Sequence, residues 1–153
     1  MDKTLSSQGF GISNGVSTIL GLLAGFVATE TSKFNVVGAL LSLLLTDPIN
    51  DSFSIYISMK HLDSDEASNK FKETFAIQSF IQFLFLFIVF LSPSVYYGFV
   101  VSCFVGLLLL LYDYNNRLKD KYEIIKDLIK IFIITLLTFF VNTLFYKFYN
   151  KKL

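Results

Sequence analysis

Histidine and cysteine occur once each in this chain, as His61 and Cys103; proline occurs twice and tryptophan not at all. A single cysteine makes no intrachain disulfide and no cysteine zinc site, and inside an apolar run it reads as a small packing residue. A single histidine removes histidine-rich metal sites and most histidine-based catalysis. Serines are plentiful, but no nucleophile-elbow sequence accompanies them, so the chain is read as a non-enzyme. Charge is also scarce: 16% of residues are charged, against about 25% in average soluble domains. The 13 Lys and Arg nearly cancel the 12 Asp and Glu, leaving a net charge of +1. No basic field exists to draw in nucleic acid.

Apolar residues take up the difference. They make up 54% of the chain, with 18 Phe and 8 Tyr, and the mean hydropathy is +0.60. At 153 residues this is one domain, and so small a fold cannot bury that excess in an aqueous core. Lipid is the solvent that suits it.

Five apolar runs divide the chain, at about 10–28, 34–59, 74–91, 95–112 and 128–146. Each is close to the 17–25 or so residues that a helix needs to cross a bilayer. Backbone polar groups in lipid must be satisfied within their own segment, so the runs are expected to be helices. No positive n-region with a short apolar core and cleavage site opens the chain, so no removable signal peptide is expected. The fold class is thus all-α integral membrane, a single domain over 1–153, with 60–73 and 113–127 as cytoplasmic connections. Leu118, Tyr122, Ile125 and Leu128 recur at helical spacing, so the second connection should extend a neighbouring span along the headgroups, with Glu123/Lys126 and Asp127/Lys130 as exposed pairs.

Orientation follows from Lys and Arg. One side carries Lys3, Lys60, Lys70, Lys72, Arg117, Lys119, Lys121, Lys126 and Lys130; the other has Lys33, Lys147, Lys151 and Lys152. The richer side marks the cytoplasm, so the N-terminus should lie inside and the C-terminus outside. Charge names the face, not the organelle.

Asp47 and Asp51 fall in the middle of the second run. An ionisable group at that depth costs at least ~2.5–3.5 kcal/mol and usually faces a partner, a cavity or a pathway. Their i, i+4 spacing puts both on one helix face. By a 100° step, Asn50, Ser54, Ser58, His61 and Asp65 fall near Asp47, so a polar stripe is expected from mid-membrane to the cytoplasmic end. Pro48 removes a backbone donor and frees a carbonyl. Two carboxylates one turn apart with an amide nearby make an oxygen-rich site for a divalent cation. Charge is costly in lipid, so such a pair holds protons or a cation, and exchange of one for the other is metal/proton antiport. The alternative is that the acids hydrogen-bond helices together.

Other polar positions offer partners or plain packing. Gly11, Asn14, Thr18, Gly21 and Gly25 share a face of the first span, with Asn14 as a candidate ligand. Met59 could supply a thioether to a transition metal, or merely fill a gap. His61, Asp65 and Glu66 could collect a cation at the mouth, or form a solvated cluster. Gln78/Gln82 and Thr135/Thr138/Asn142 read first as interhelical hydrogen bonds, and Gly98/Ser102/Gly106 as a packing strip. Five spans do not divide into two equal halves, which argues against a single-chain inverted repeat.

Two segments resemble the vacuolar iron transporter family, with its nodulin-like and short prokaryotic members. Gly11-Ile12-Ser13-Asn14-Gly15-Val16-Ser17-Thr18-Ile19-Leu20-Gly21-Leu22-Leu23-Ala24-Gly25 is similar to that family's first-span pattern. Thr46-Asp47-Pro48-Ile49-Asn50-Asp51-Ser52-Phe53-Ser54-Ile55-Tyr56-Ile57-Ser58 is similar to a second-span variant of its short members. The resemblance implies a homodimer whose first spans line a central pathway and export ferrous iron or manganese against protons, with no permanently bound cofactor. The family's first-span acid stands at Asn14 here, its second-span glutamate at Ile55 and its methionine at Asp51. Asp47 and Asp51 are then expected to take over the missing acids' role from a different height. The large cytoplasmic metal-collecting domain of long members shrinks to the short 60–73 loop. A non-transporting assembly protein and a small cation channel are the rival readings.

Overall fold

The computed structural model describes residues 7–116 and 121–150. They form five helices: α1 Ser7–Ala28, α2 Lys33–Lys60, α3 Ser64–Leu91, α4 Val95–Asn116 and α5 Lys121–Asn150. All five are long and apolar enough to cross a membrane, and no strand occurs among the described residues. The described residues are all-helical, and five helices of this length and hydropathy suit a multi-pass membrane protein. Lys3, Arg117, Lys119, Lys151 and Lys152 of the charge count lie outside the described residues, as does 117–120 of the second connection. So do the side chains of Lys121, Glu123 and Asp127.

The helix ends are set by specific caps. Ser32 precedes α2 and accepts the Asn35 N–H at 3.4 Å. Asp63, in extended backbone, accepts the N–H groups of both Asp65 and Glu66 at 2.9 Å through Oδ1. Two orphan donors of α3 are thereby satisfied, and the acidic first turn suits the helix dipole. The expected 60–73 loop is consequently only 61–63 long, and Ser64 to Glu73 is the first part of α3. A 28-residue helix is ~42 Å long, so α2 and α3 are longer than a hydrocarbon core of about 30 Å is thick.

Neighbouring residues give the directions of the helices. Gly11 and Gly15 lie against Ile77 and Ile81, so α1 and α3 run parallel. Lys33 reaches the Phe90 and Ser92 carbonyls and Tyr56 meets Phe71, so α2 runs antiparallel to α3. Gly98 meets Val89 and Gly106 meets Phe85, which makes α4 antiparallel to α3. Gly25 meets Asn142 and Glu30 accepts from Tyr146, so α5 runs with α1. The spans alternate up and down.

α1 packs against α3, α4 and α5, whereas α2 leans almost wholly on α3. Val16, Ile19, Leu23, Leu40, Phe85 and Val89 form the centre of the core. Outside, Phe80, Phe87, Phe104, Phe132 and Phe145 are each at least half exposed. That shell would be an aggregation hazard in water, but in lipid it is ordinary solvation.

The small residues divide by role. Gly98, Ser102 and Gly106 are buried, and Gly106 lets α4 close onto Val16 and Leu20 of α1, as expected of a packing strip. The Gly11–Gly25 face is not one surface. Gly11 abuts α3, Gly25 abuts Asn142 of α5, and Gly21 has open space before it. In α5 the expected interhelical bonds are replaced by local ones: Thr135, Thr138 and Asn142 donate to the carbonyls of Ile131, Ile134 and Thr138.

Candidate cation site

Asp47 and Asp51 lie about halfway along α2, Gln78 and Gln82 about halfway along α3, and the antiparallel register brings the four together. The α2 residues turned to α3 follow a row four apart: Val36, Leu40, Leu44, Pro48 and Ser52. On α3 the matching buried row is Thr74, Gln78, Gln82 and Leu86. Ridges of this kind interlock side chain against side chain. Asp47 and Asp51 flank the α2 row, so their carboxylates enter the contact half-buried. The helix continues through Pro48, which is itself fully buried.

Gln78 bridges the pair. Its Nε2 donates to Oδ2 of Asp47 at 2.9 Å and to Oδ2 of Asp51 at 2.6 Å. Gln82 Nε2 donates to the same Asp47 oxygen at 2.6 Å. From α1, Asn14 Nδ2 donates to Oδ2 of Asp51. Three side-chain amides on two other helices therefore converge on two carboxylates. Neither carboxylate forms an ion pair with a Lys, Arg or His among the described residues. Among those same residues, no cluster of three His, Cys, Asp or Glu stands ready to hold a metal.

Several polar atoms of this contact have no hydrogen-bond partner. They are Oε1 of Gln78 and of Gln82, and the hydroxyls of Ser52 and Thr74, all fully buried. Buried polar groups are usually paired, and each exception calls for a physical reason. Two of them, the Oε1 atoms, belong to the same amides whose nitrogens reach the acids.

Of the residues singled out by sequence, Asp47, Asp51 and Asn14 are brought together. Asn50 is not, because it stands exposed on the outer side of α2. The continuous polar stripe is likewise absent: Ser54 and Ser58 are exposed, and their hydroxyls donate to the Asn50 and Ser54 carbonyls. A contact row spaced by four drifts about 40° per step around a helix. Over two turns that drift carries residues aligned with Asp47 out of the interface. Met59 is eight residues beyond Asp51, hence ~12 Å away along the axis, and cannot share its ligand. His61 caps the end of α2 instead of continuing it, so His61 and Asp65 are not on one helical turn. Asp65 and Glu66 are exposed at the start of α3, and the structural role in that loop belongs to Asp63. Gln78 and Gln82 do form the interhelical bonds their spacing suggests. That they would face the acids was invisible without the register.

Comparison with family models, with curated proteins and with solved structures finds no match for this chain.

Proposed function

We propose that this protein is a divalent transition-metal transporter of the membrane, exchanging ferrous iron or manganese for protons through Asp47 and Asp51. One observation carries the reading: two carboxylates halfway along a helix long and apolar enough to span a membrane meet amide donors and, among the described residues, no Lys, Arg or His. Amide hydrogens lower the cost of a negative charge but do not neutralise it, and a doubly charged pair in lipid needs protons or a cation. The resemblance to vacuolar iron transporters supports metal as the cargo, export from the cytoplasm as the direction and a homodimer as the working unit. The positive-inside count supports a cytoplasmic N-terminus. In such a dimer the Asn14–Gly21 side of α1, which is open at Gly21, would face the pathway.

A second reading has its own support. Three amides from α1 and α3 bonded to α2 are also what a polar fastener between helices looks like. Reconstitution into liposomes separates the two. Asp47→Asn with Asp51→Asn should reduce metal-dependent proton flux to background while the purified protein stays folded. A pair that is only a fastener leaves no flux in the wild type to lose. Flux undiminished by the double substitution ends the proposal, and metal flux without proton movement would make the protein a channel.

A further inference from the structure

We propose that Gln78 and Gln82 are themselves ligands to the cation, each turning its amide so that oxygen replaces nitrogen at the site. The resulting cage is all oxygen and takes a hard divalent ion of the Mn²⁺ class; this rests on the reading of Asp47 and Asp51 as a cation site.

The two glutamines are 0% and 1% exposed, and their nitrogens lie 2.6–2.9 Å from the carboxylates. Both amide heads are therefore at the site. Nitrogen faces inward because each Oδ2 offers an acceptor lone pair, and without a cation nothing at the site draws the amide oxygen. The cost of that arrangement is visible at the other end of each amide, where Oε1 is buried with no donor. A cation held between the carboxylates reverses the preference, since it attracts the carbonyl oxygen and repels the N–H end. The last torsion of a glutamine is broad and two-fold, so a half-turn exchanges the two ends without moving the backbone. The orphaned oxygens thereby gain a partner when the ion arrives.

The donor count fits. Two carboxylates supply four oxygens, Gln78 and Gln82 two more, and Asn14 a seventh if it turns in the same way. Hard divalent cations take about six to eight oxygens. Among the described residues no sulfur joins them: Met59 is ~12 Å from Asp51 along the helix, and Cys103 belongs to α4, which contributes none of the contacts to the acids. Oxygen donors suit Mn²⁺, Mg²⁺ and Ca²⁺, and thiophilic ions gain little from them.

The test uses the full chain in lipid nanodiscs, with Mn²⁺ as the probe. Glutamine occurs only at positions 8, 78 and 82, so isotope-labelled glutamine reports on the site almost alone. Adding Mn²⁺ should shift the labelled side-chain carbonyl band in difference infrared spectra. Titration followed by the spin resonance of free Mn²⁺ should show Gln78→Met and Gln82→Met each weakening binding by at least about tenfold. Cd²⁺ should compete poorly. Mn²⁺ binding with an unshifted glutamine band, or Met variants within twofold of wild type, would overturn the glutamine ligands and leave the aspartate site standing. Tighter binding of Cd²⁺ than of Mn²⁺ would overturn the all-oxygen cage. Failure of wild type to bind any divalent ion would remove the aspartate site as well, and the double Asp→Asn variant supplies the baseline for that outcome. The labelled wild type reports on the glutamine ligands even if a Met variant fails to fold.

Discussion

Gln78 donates one amide nitrogen to both Asp47 and Asp51, at 2.9 and 2.6 Å, and thereby ties two turns of α2 to one position of α3. Gln82 serves only Asp47. The two glutamines should therefore not be equivalent. Gln78→Leu is expected to cost about 1–2 kcal/mol and Gln82→Leu about half as much, in line with interhelical hydrogen bonds that reach a charged acceptor. Reversible unfolding in mixed micelles measures both. Equal losses would mean that the bridging bond contributes nothing beyond a single one.

A methyl group tests the close approach of α4. A Cβ on Gly106 would meet Val16 Cγ1 at 3.0 Å and Leu20 Cδ1 at 3.3 Å, and the helix behind those atoms is packed on three sides. Gly106→Ala should destabilise, and Gly106→Leu should cost about 1–3 kcal/mol or more. Gly21→Ala has open space before it and should be neutral or up to ~1 kcal/mol stabilising, because alanine is the better helix former. Thermal scans of the three proteins in one detergent decide the order.

Lys33 opens α2 and also closes α3. Its Nζ donates to the carbonyls of Phe90 at 2.8 Å and Ser92 at 2.6 Å, satisfying acceptors at a helix C-terminus where a positive charge is favourable. Lys33→Met should cost about 1 kcal/mol and speed amide exchange around the 92–94 turn while leaving residues 47–51 protected. Exchange mass spectrometry reads the pattern. Uniform loss of protection would show that Lys33 supports the whole bundle.

Asp63 should matter for folding and be silent for cation handling. Asp63→Ala removes the acceptor for two N–H groups and is expected to cost about 1 kcal/mol. Asp63→Asn, which keeps an oxygen acceptor, should recover most of it. Metal uptake by reconstituted protein should be unchanged in both. Reduced uptake with intact stability would return the loop to the cation pathway.

The same cap shows what was legible. Asp63, Asp65 and Glu66 spell a helix start, yet hydropathy placed the third span at Thr74, because a water-exposed turn of helix carries no apolar signal. The five spans themselves follow from composition, since runs long enough to cross lipid have only the helix available. Asp47 and Asp51 also stood out unaided, because acids at bilayer depth are costly wherever the chain turns. Their partners did not. In water, the polar side of a helix faces solvent and fixes its rotation, but in lipid the outside is as apolar as the core. Sequence therefore left open which side of α2 faces inward, and set Asn50, Ser54 and Ser58 beside the acids when they point away. The antiparallel register of α2 on α3 decided that question through long-range contacts between the Val36–Ser52 and Thr74–Leu86 rows, and it delivered Gln78 and Gln82 to the carboxylates.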